Sequence, residues 1–305
     1  MTSHHAGAHA HDHAASRFGR AFAIGIALNV AFVAIEAYYG WKIGSLVLLA
    51  DAAHNLSDVG GLLLAWAGLA ATRLRPDERH TYGWRRASIM ASFANAVILL
   101  IAMGSLAWEA LQRLQAPSAI EGGTVMVVAG IGMLINAATA ALFMSGSGRD
   151  LNIRGAFLHM AADALVSAGV VLAGALYLWQ GWDWIDPAVS LVIAGVIVVG
   201  TWSLFRRSLH LLFDGVPDGI DLGDVRRCLR ALPGVIDVHH LHVWAMATSE
   251  TALTAHLVVP DGHPDADALL RAASTALHEQ FGILHPTLQV ESASHAGTCS
   301  SASCA

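Results

Sequence analysis

Six predominantly apolar stretches recur along the first two thirds of the chain, at roughly 18–40, 45–72, 87–114, 121–145, 156–181 and 184–206. A helix of about 20 residues crosses a hydrocarbon core about 30 Å thick, and each stretch reaches that length, so the pattern predicts six transmembrane helices. After Arg206 and Arg207 the period changes. "GIDLGDVRRCLRAL" has the spacing of an amphipathic helix, "VIDVHHLHVWAM" and "TALTAHLVVP" alternate as β-strands, "PDADALLRAASTALHEQF" reads as a second helix and "HPTLQVE" as a third strand. The order αββαβ predicts a small layered α+β domain with its helices on one face of the sheet. Such a small domain has a modest core, and oligomerisation would support it. From Ser292 the chain is rich in Ser, Ala and Gly and reads as a flexible tail.

Composition agrees with the pattern: 55% of residues are hydrophobic and 13% charged, too little charge to solvate so much apolar surface. The connecting segments set an orientation. Arg73, Arg75, Arg79, Arg85 and Arg86 lie between stretches two and three, and Arg149 and Arg154 between four and five, whereas the opposite loops carry only Lys42 and Arg113. The positive-inside rule then places both termini in the cytoplasm, with Trp179, Trp182 and Trp184 in the outer interface belt. The net charge of −6 is spread along the chain, which argues against nucleic acid as a partner. Cys228, Cys299 and Cys304 are too few for a disulfide framework and fall on the reducing side. The polar, His/Ala-rich start does not read as a cleavable signal peptide.

Within the second stretch, "LLADAAHNLSDVGG" carries Asp51, His54 and Asp58. Ionisable groups at membrane depth are costly, by about 2.5–3.5 kcal/mol on insertion scales, and mark functional sites. His54 and Asp58 are four residues apart and share a helix face. The fifth stretch repeats the spacing in "FLHMAADALVSAG", with His159 and Asp163. Two imidazoles and two carboxylates match tetrahedral Zn²⁺ coordination, and two carboxylates neutralise one divalent ion. Without the ion, the same ligands favour protons, so metal and protons compete for one site, the basis of metal/proton exchange. Asp51, on the same face one turn earlier, either touches metal, lines an aqueous path or braces a helix. Glu36, Asn29, Asn95 and Asn136 read as hydrogen bonders in seams between helices. A metalloenzyme would keep three protein ligands and an open position, and no H-E-x-x-H is present, so hydrolysis is not expected. A tight four-ligand site likewise suits a carrier better than a rapidly conducting channel.

"GSLVLLADAAHNLSDVGGLLLAW", "RPDERHTYGWRRASIMASFANAVILL", "WEALQRLQAP", "NIRGAFLHMAADALVSAGVVLAG" and "VHHLHVWAMATSETALTAHLVV" together resemble the cation diffusion facilitator family, in order from about Phe18 to Glu291. The likeness is strongest to its zinc-transporting branch. It implies a homodimer in the cell (inner) membrane, six spans per protomer and a cytoplasmic ferredoxin-like domain. The implied activity is export of Zn²⁺ against inward protons by alternating access, with His54, Asp58, His159 and Asp163 as the transport site. Four segments follow: a His-rich cytoplasmic tail at 1–17, a transmembrane domain at 18–206, a ferredoxin-like domain at 207–292 and a Cys-containing tail at 293–305.

The resemblance also implies a regulatory zinc on His239, His256 and Glu291, on neighbouring strands; Gln289 stands where some members have a second His. The directions of His240 and His242 relative to His239 are left open by periodicity. Some members bind a further ion in the loop after span two, where Asp77 and His80 match two ligand positions and Trp84 occupies the third. The histidines other members carry between spans four and five are absent from "SGSGRDLNIRG"; here His4, His5, His9, His11 and His13 crowd the N-terminus, a composition that captures transition metals weakly. His295, Cys299 and Cys304 resemble the Cys-bearing tails of some members, and thiolates suit zinc.

Overall fold

A computed structural model of the chain describes residues 29–72, 74–116, 120–144, 151–262 and 265–296. The His-rich tract at 1–17 and Cys299 and Cys304 lie outside the described residues. Two compact units are present: one joins the described residues up to Leu62 with Asn95–Trp202, the other joins Leu63–Ala94 with the described residues from Ser203 onward.

The first unit is helical, built from α1 (described at 29–43) and parts or all of α2 (Leu46–Thr72), α3 (Ala87–Gln115), α4 (Gly122–Met144), α5 (Leu151–Gln180) and α6 (Ile185–Leu212). Among the described residues, four helices are long and apolar enough to cross a membrane: Ala87–Gln115, Gly122–Ala141, Phe157–Gln180 and Ile185–Leu212. Their outward faces carry Leu165, Leu172, Val192, Val196 and Val199, the surface lipid would cover. Inward, Phe32, Leu48, Met103, Val125 and Val170 share one buried cluster. Small residues let the helices approach closely. A Cβ on Gly122 would stand 2.5 Å from the Tyr177 ring, so α4 meets α5 there only because the position is glycine. The Tyr177 hydroxyl then accepts from the Ile120 amide at 3.1 Å.

The apolar pattern located the helices but not their ends. α5 begins at Leu151 and α6 runs on to Leu212, so Arg206 and Arg207 lie inside a helix. The stop comes later, where Asp214 takes φ +56° and Gly215 sits under the His210 ring, 2.3 Å from where a Cβ would stand.

In the second unit, the C-terminal segment forms α7 (Leu222–Arg230), β1 (Asp237–Ala247), β2 (Glu250–Val259), α8 (Ala266–Phe281), β3 (His285–Ser292) and the single turn α9 (Ala293–Ala296). Asp221 and Asp265 cap the two longer helices by accepting from the amides of Asp224 and Ala268. The sheet has the order β1-β2-β3, antiparallel between β1 and β2 and parallel between β2 and β3. Leu229 of α7 and Leu269, Ala273 and Leu277 of α8 pack on Val238, Leu253 and Leu257 of the sheet. Truncating one of these leucines to Ala is expected to cost about 2–5 kcal/mol.

Candidate metal centres

α2 and α5 place the first cluster. Helical spacing puts His54 and Asp58 on one face of α2 and His159 and Asp163 on one face of α5, and the two faces meet. His54 Nε2 lies 3.5 Å from Asp163 Oδ1, and His54 Nδ1 lies 3.9 Å from Asp58 Oδ2. His159 Nε2 is 3.3 Å from Asp58 Oδ2 and 3.6 Å from Asp163 Oδ2. Each imidazole therefore faces both carboxylates. Tetrahedral zinc with bonds of about 2.0–2.1 Å holds its ligand atoms about 3.3–3.4 Å apart, which these imidazole–carboxylate separations approach. His54, Asp58 and Asp163 each offer a donor atom within 4.8 Å of the others, while the His159 ring stands outside that set, its centroid 6.4 Å from that of His54. Asp163 is buried, while His159 is 43% exposed, so the site has one open side. His54 Nδ1, Asp58 Oδ2 and Asp163 Oδ2 are buried with no hydrogen-bond partner among the described residues, the condition a cation would relieve.

Neighbouring polar groups brace this cluster. Asp51 is buried and accepts from Ser167 of α5 at 3.2 Å, four residues beyond Asp163, a second tie between the ligand-bearing helices. Glu36, fully buried on α1, lies against Asp51 and accepts from Asn55 at 3.5 Å. Asn95 accepts from Ser57 at 3.4 Å, and Asn29 contacts the Met160 sulfur at 3.9 Å. Asn136 differs from these seam residues, because neither polar atom of its buried amide has a hydrogen-bond partner among the described residues.

The second cluster is assembled by strand register. His239 and His256 are paired across β1 and β2, and β3 brings Glu291 beside Val258. Glu291 Oε2 lies 3.2 Å from His239 Nε2, and Oε1 lies 2.6 Å from His256 Nδ1. The carboxylate is buried while both rings stay about a quarter exposed. Gln289 donates to Glu291 Oε1 at 2.8 Å, steadying it rather than supplying an imidazole. A β-bulge between His239 and His242, with His240 at φ +49°, breaks strict alternation. His240 therefore stacks on His256, with centroids 4.8 Å apart, from the same side as His239. Burial and the rings of His256, His239 and His242 hold the His240 imidazole below its ordinary pKa. No periodicity argument could have found this third ring.

Asp77 and His80 serve a local turn. Asp77 Oδ1 accepts from the amides of Arg79 at 2.8 Å and His80 at 2.6 Å, and the His80 ring stacks on Trp84 at 4.3 Å. The backbone amide of His80, then its side chain and the Arg79 amide, hold the Asp77 carboxyl below the usual range. Cys228 is a free, partly buried thiol, pushed up by that burial.

The model of the cation efflux transmembrane domain matches residues 22–213, and that of the cation efflux protein cytoplasmic domain matches 217–293. The chain belongs to the cation efflux family. Its cation diffusion facilitator motifs are thus placed in a family of transporters rather than enzymes. The zinc transporter ZitB of Escherichia coli (strain K12) is 35% identical over 291 residues, covering 93% of this chain and 92% of ZitB. The metal cation efflux system protein CzcD of Cupriavidus metallidurans is 35% identical over 283 residues, covering 93% of this chain and 89% of CzcD. The cadmium, cobalt and zinc/H(+)-K(+) antiporter of Bacillus subtilis (strain 168) is 31% identical over 289 residues, covering 93% of each chain. In this cation efflux protein, both candidate clusters fall inside the matched regions.

Proposed function

We propose that this chain exports Zn²⁺ from the cytoplasm in exchange for protons, by alternating access around His54, Asp58, His159 and Asp163. One observation carries the reading: each of two imidazoles, one from each of two helices, lies 3.3–3.9 Å from both of two carboxylates on the same helices. Zinc transport by the ZitB relative and antiport by the Bacillus subtilis relative support it. The ligand set selects the cargo: hard Mg²⁺ and Ca²⁺ take six or more oxygens, whereas nitrogen with short carboxylates suits small tetrahedral Zn²⁺. Exchange follows because imidazole and carboxylate must be deprotonated to hold metal.

The same reading makes the chain an inner-membrane homodimer with six spans, 18–206, both termini in the cytoplasm, and a ferredoxin-like domain at 207–292. His239, His256 and Glu291 fit a regulatory zinc there, since one buried carboxylate and two imidazoles about a quarter exposed offer three nitrogen and oxygen donors within 4.8 Å. The test is reconstitution into vesicles enclosing a zinc-sensitive dye. Zinc should accumulate when the interior is acidic and cease to do so when a protonophore collapses the gradient. Uptake indifferent to the gradient would overturn exchange.

A further inference from the structure

We propose that Asp186 is a positioning residue for the transport site, fixing from its amino end the helix that carries His54 and Asp58; the proposal rests on reading those residues as transport ligands. The first amides of any helix lack intrahelical acceptors, and in a membrane each must be satisfied by protein. At the start of α2 the acceptor is borrowed from α6. Asp186, in the first turn of α6 and 3% exposed, accepts from the Ser45 hydroxyl at 2.7 Å, from the Leu46 amide at 3.0 Å and from the Val47 amide at 3.4 Å. Ser45 completes the cap by accepting from the Leu48 amide at 3.4 Å. All four α2-side residues are buried, and Asp186 has no Lys or Arg ion-pair partner among the described residues. The partial positive charge of the α2 amino terminus is its electrostatic complement.

Three bonds to one carboxylate fix both the height and the rotation of α2. His54 lies eight residues beyond Leu46 and Asp58 twelve, about 12 Å and 18 Å along the helix. A 20° rotation would carry a ligand atom about 6 Å from the axis through about 2 Å, whereas metal bonds tolerate about 0.2 Å. The α6 end is itself held, because the Asp186 carbonyl accepts from the Ser190 hydroxyl at 2.6 Å.

The experiment uses the full chain in vesicles and measures zinc affinity by dye competition, KM and kcat of zinc uptake, and the Zn²⁺/Cd²⁺ ratio in competition. Asp186→Ala is expected to weaken zinc binding and raise KM about 10-fold, the size of effect seen when an outer partner of a metal ligand is lost, with kcat changed less. The loosened shell should also favour larger Cd²⁺ several-fold. Asp186→Asn, which keeps the shape and one acceptor, should fall between. Wild-type affinity and Zn²⁺/Cd²⁺ ratio in folded Asp186→Asn and Asp186→Ala would overturn the role. If the alanine variant fails to insert, the asparagine variant decides alone. Asp58→Ala in the same assay separates the two claims: normal zinc binding there sinks the transport site itself, whereas its loss beside an unaffected Asp186→Asn sinks only the positioning role.

Discussion

The cluster of α2 and α5 draws two candidate ligands from each of two helices, whereas the cytoplasmic cluster draws one candidate from each of three strands. Each helical pair is prearranged by local geometry, since positions four apart share a face whatever the rest of the chain does. The strand trio has no local half; it exists only once an antiparallel and a parallel pairing are both in register. Charge divides the clusters in the same way. Two carboxylates cancel a divalent ion, as a low-dielectric passage requires, while the single Glu291 leaves one positive charge that only a partly hydrated site tolerates. A neutral complex that can be split between two helices suits a cargo; a three-donor site on one rigid sheet suits a resident ion.

That contrast is broken most severely at Asp58 or Asp163. Replacing either with Ala removes half of the compensating charge, and zinc transport should fall about a hundredfold or more at equal membrane abundance, as measured by radioactive zinc uptake. Full activity in either variant would remove the helical cluster from the mechanism.

Next in size is His54→Asp. Three carboxylates and one imidazole accept more coordination numbers, so Zn²⁺ transport should persist while the Zn²⁺/Cd²⁺ ratio shifts about tenfold toward Cd²⁺ in competition at fixed pH. An unchanged ratio in an active variant would mean that His54 does not set selectivity.

Glu291→Gln sharpens the comparison from the other side. It should weaken cytoplasmic zinc about 10-fold or more by equilibrium binding, yet change maximal transport by less than about threefold. Loss of transport as deep as that of Asp58→Ala would erase the distinction between cargo and resident sites.

The smallest effect concerns the sheet that carries the strand cluster. Burial pushes the Asp237 carboxyl up, but Arg230 and the Val238 amide outweigh it and hold the group below its ordinary value. Folding thus favours the charged form, so its stabilisation is present at neutral pH and fades as pH falls through the depressed folded-state value. The pair is about half exposed, and screening limits Asp237→Asn to about 0.5 kcal/mol in thermal unfolding at pH 7, vanishing in acid.

The helical cluster was legible because H-x-x-x-D appears twice and a period of 3.6 converts spacing into a shared face. The strand cluster was legible only as a set of candidates: a bulge at His239–His242 overrides the two-residue period and turns His240 toward His256, and no local signal marks it. Asp186 was visible only as an acid in "WDWIDP"; that it caps a helix about 140 positions away is a tertiary fact. The extension of α6 to Leu212 escaped because a charge pair normally ends an apolar span, yet Arg206 and Arg207 continue the helix.

The central claim is that the two helical pairs form one zinc shell, and X-ray absorption of zinc bound at one equivalent tests it most directly. In a Glu291→Gln/His256→Ala background, the account predicts four nitrogen and oxygen neighbours at about 2.0 Å with two imidazole signatures, losing one oxygen in Asp163→Ala. A sulfur shell, six oxygens, or a spectrum unchanged by Asp163→Ala would contradict it.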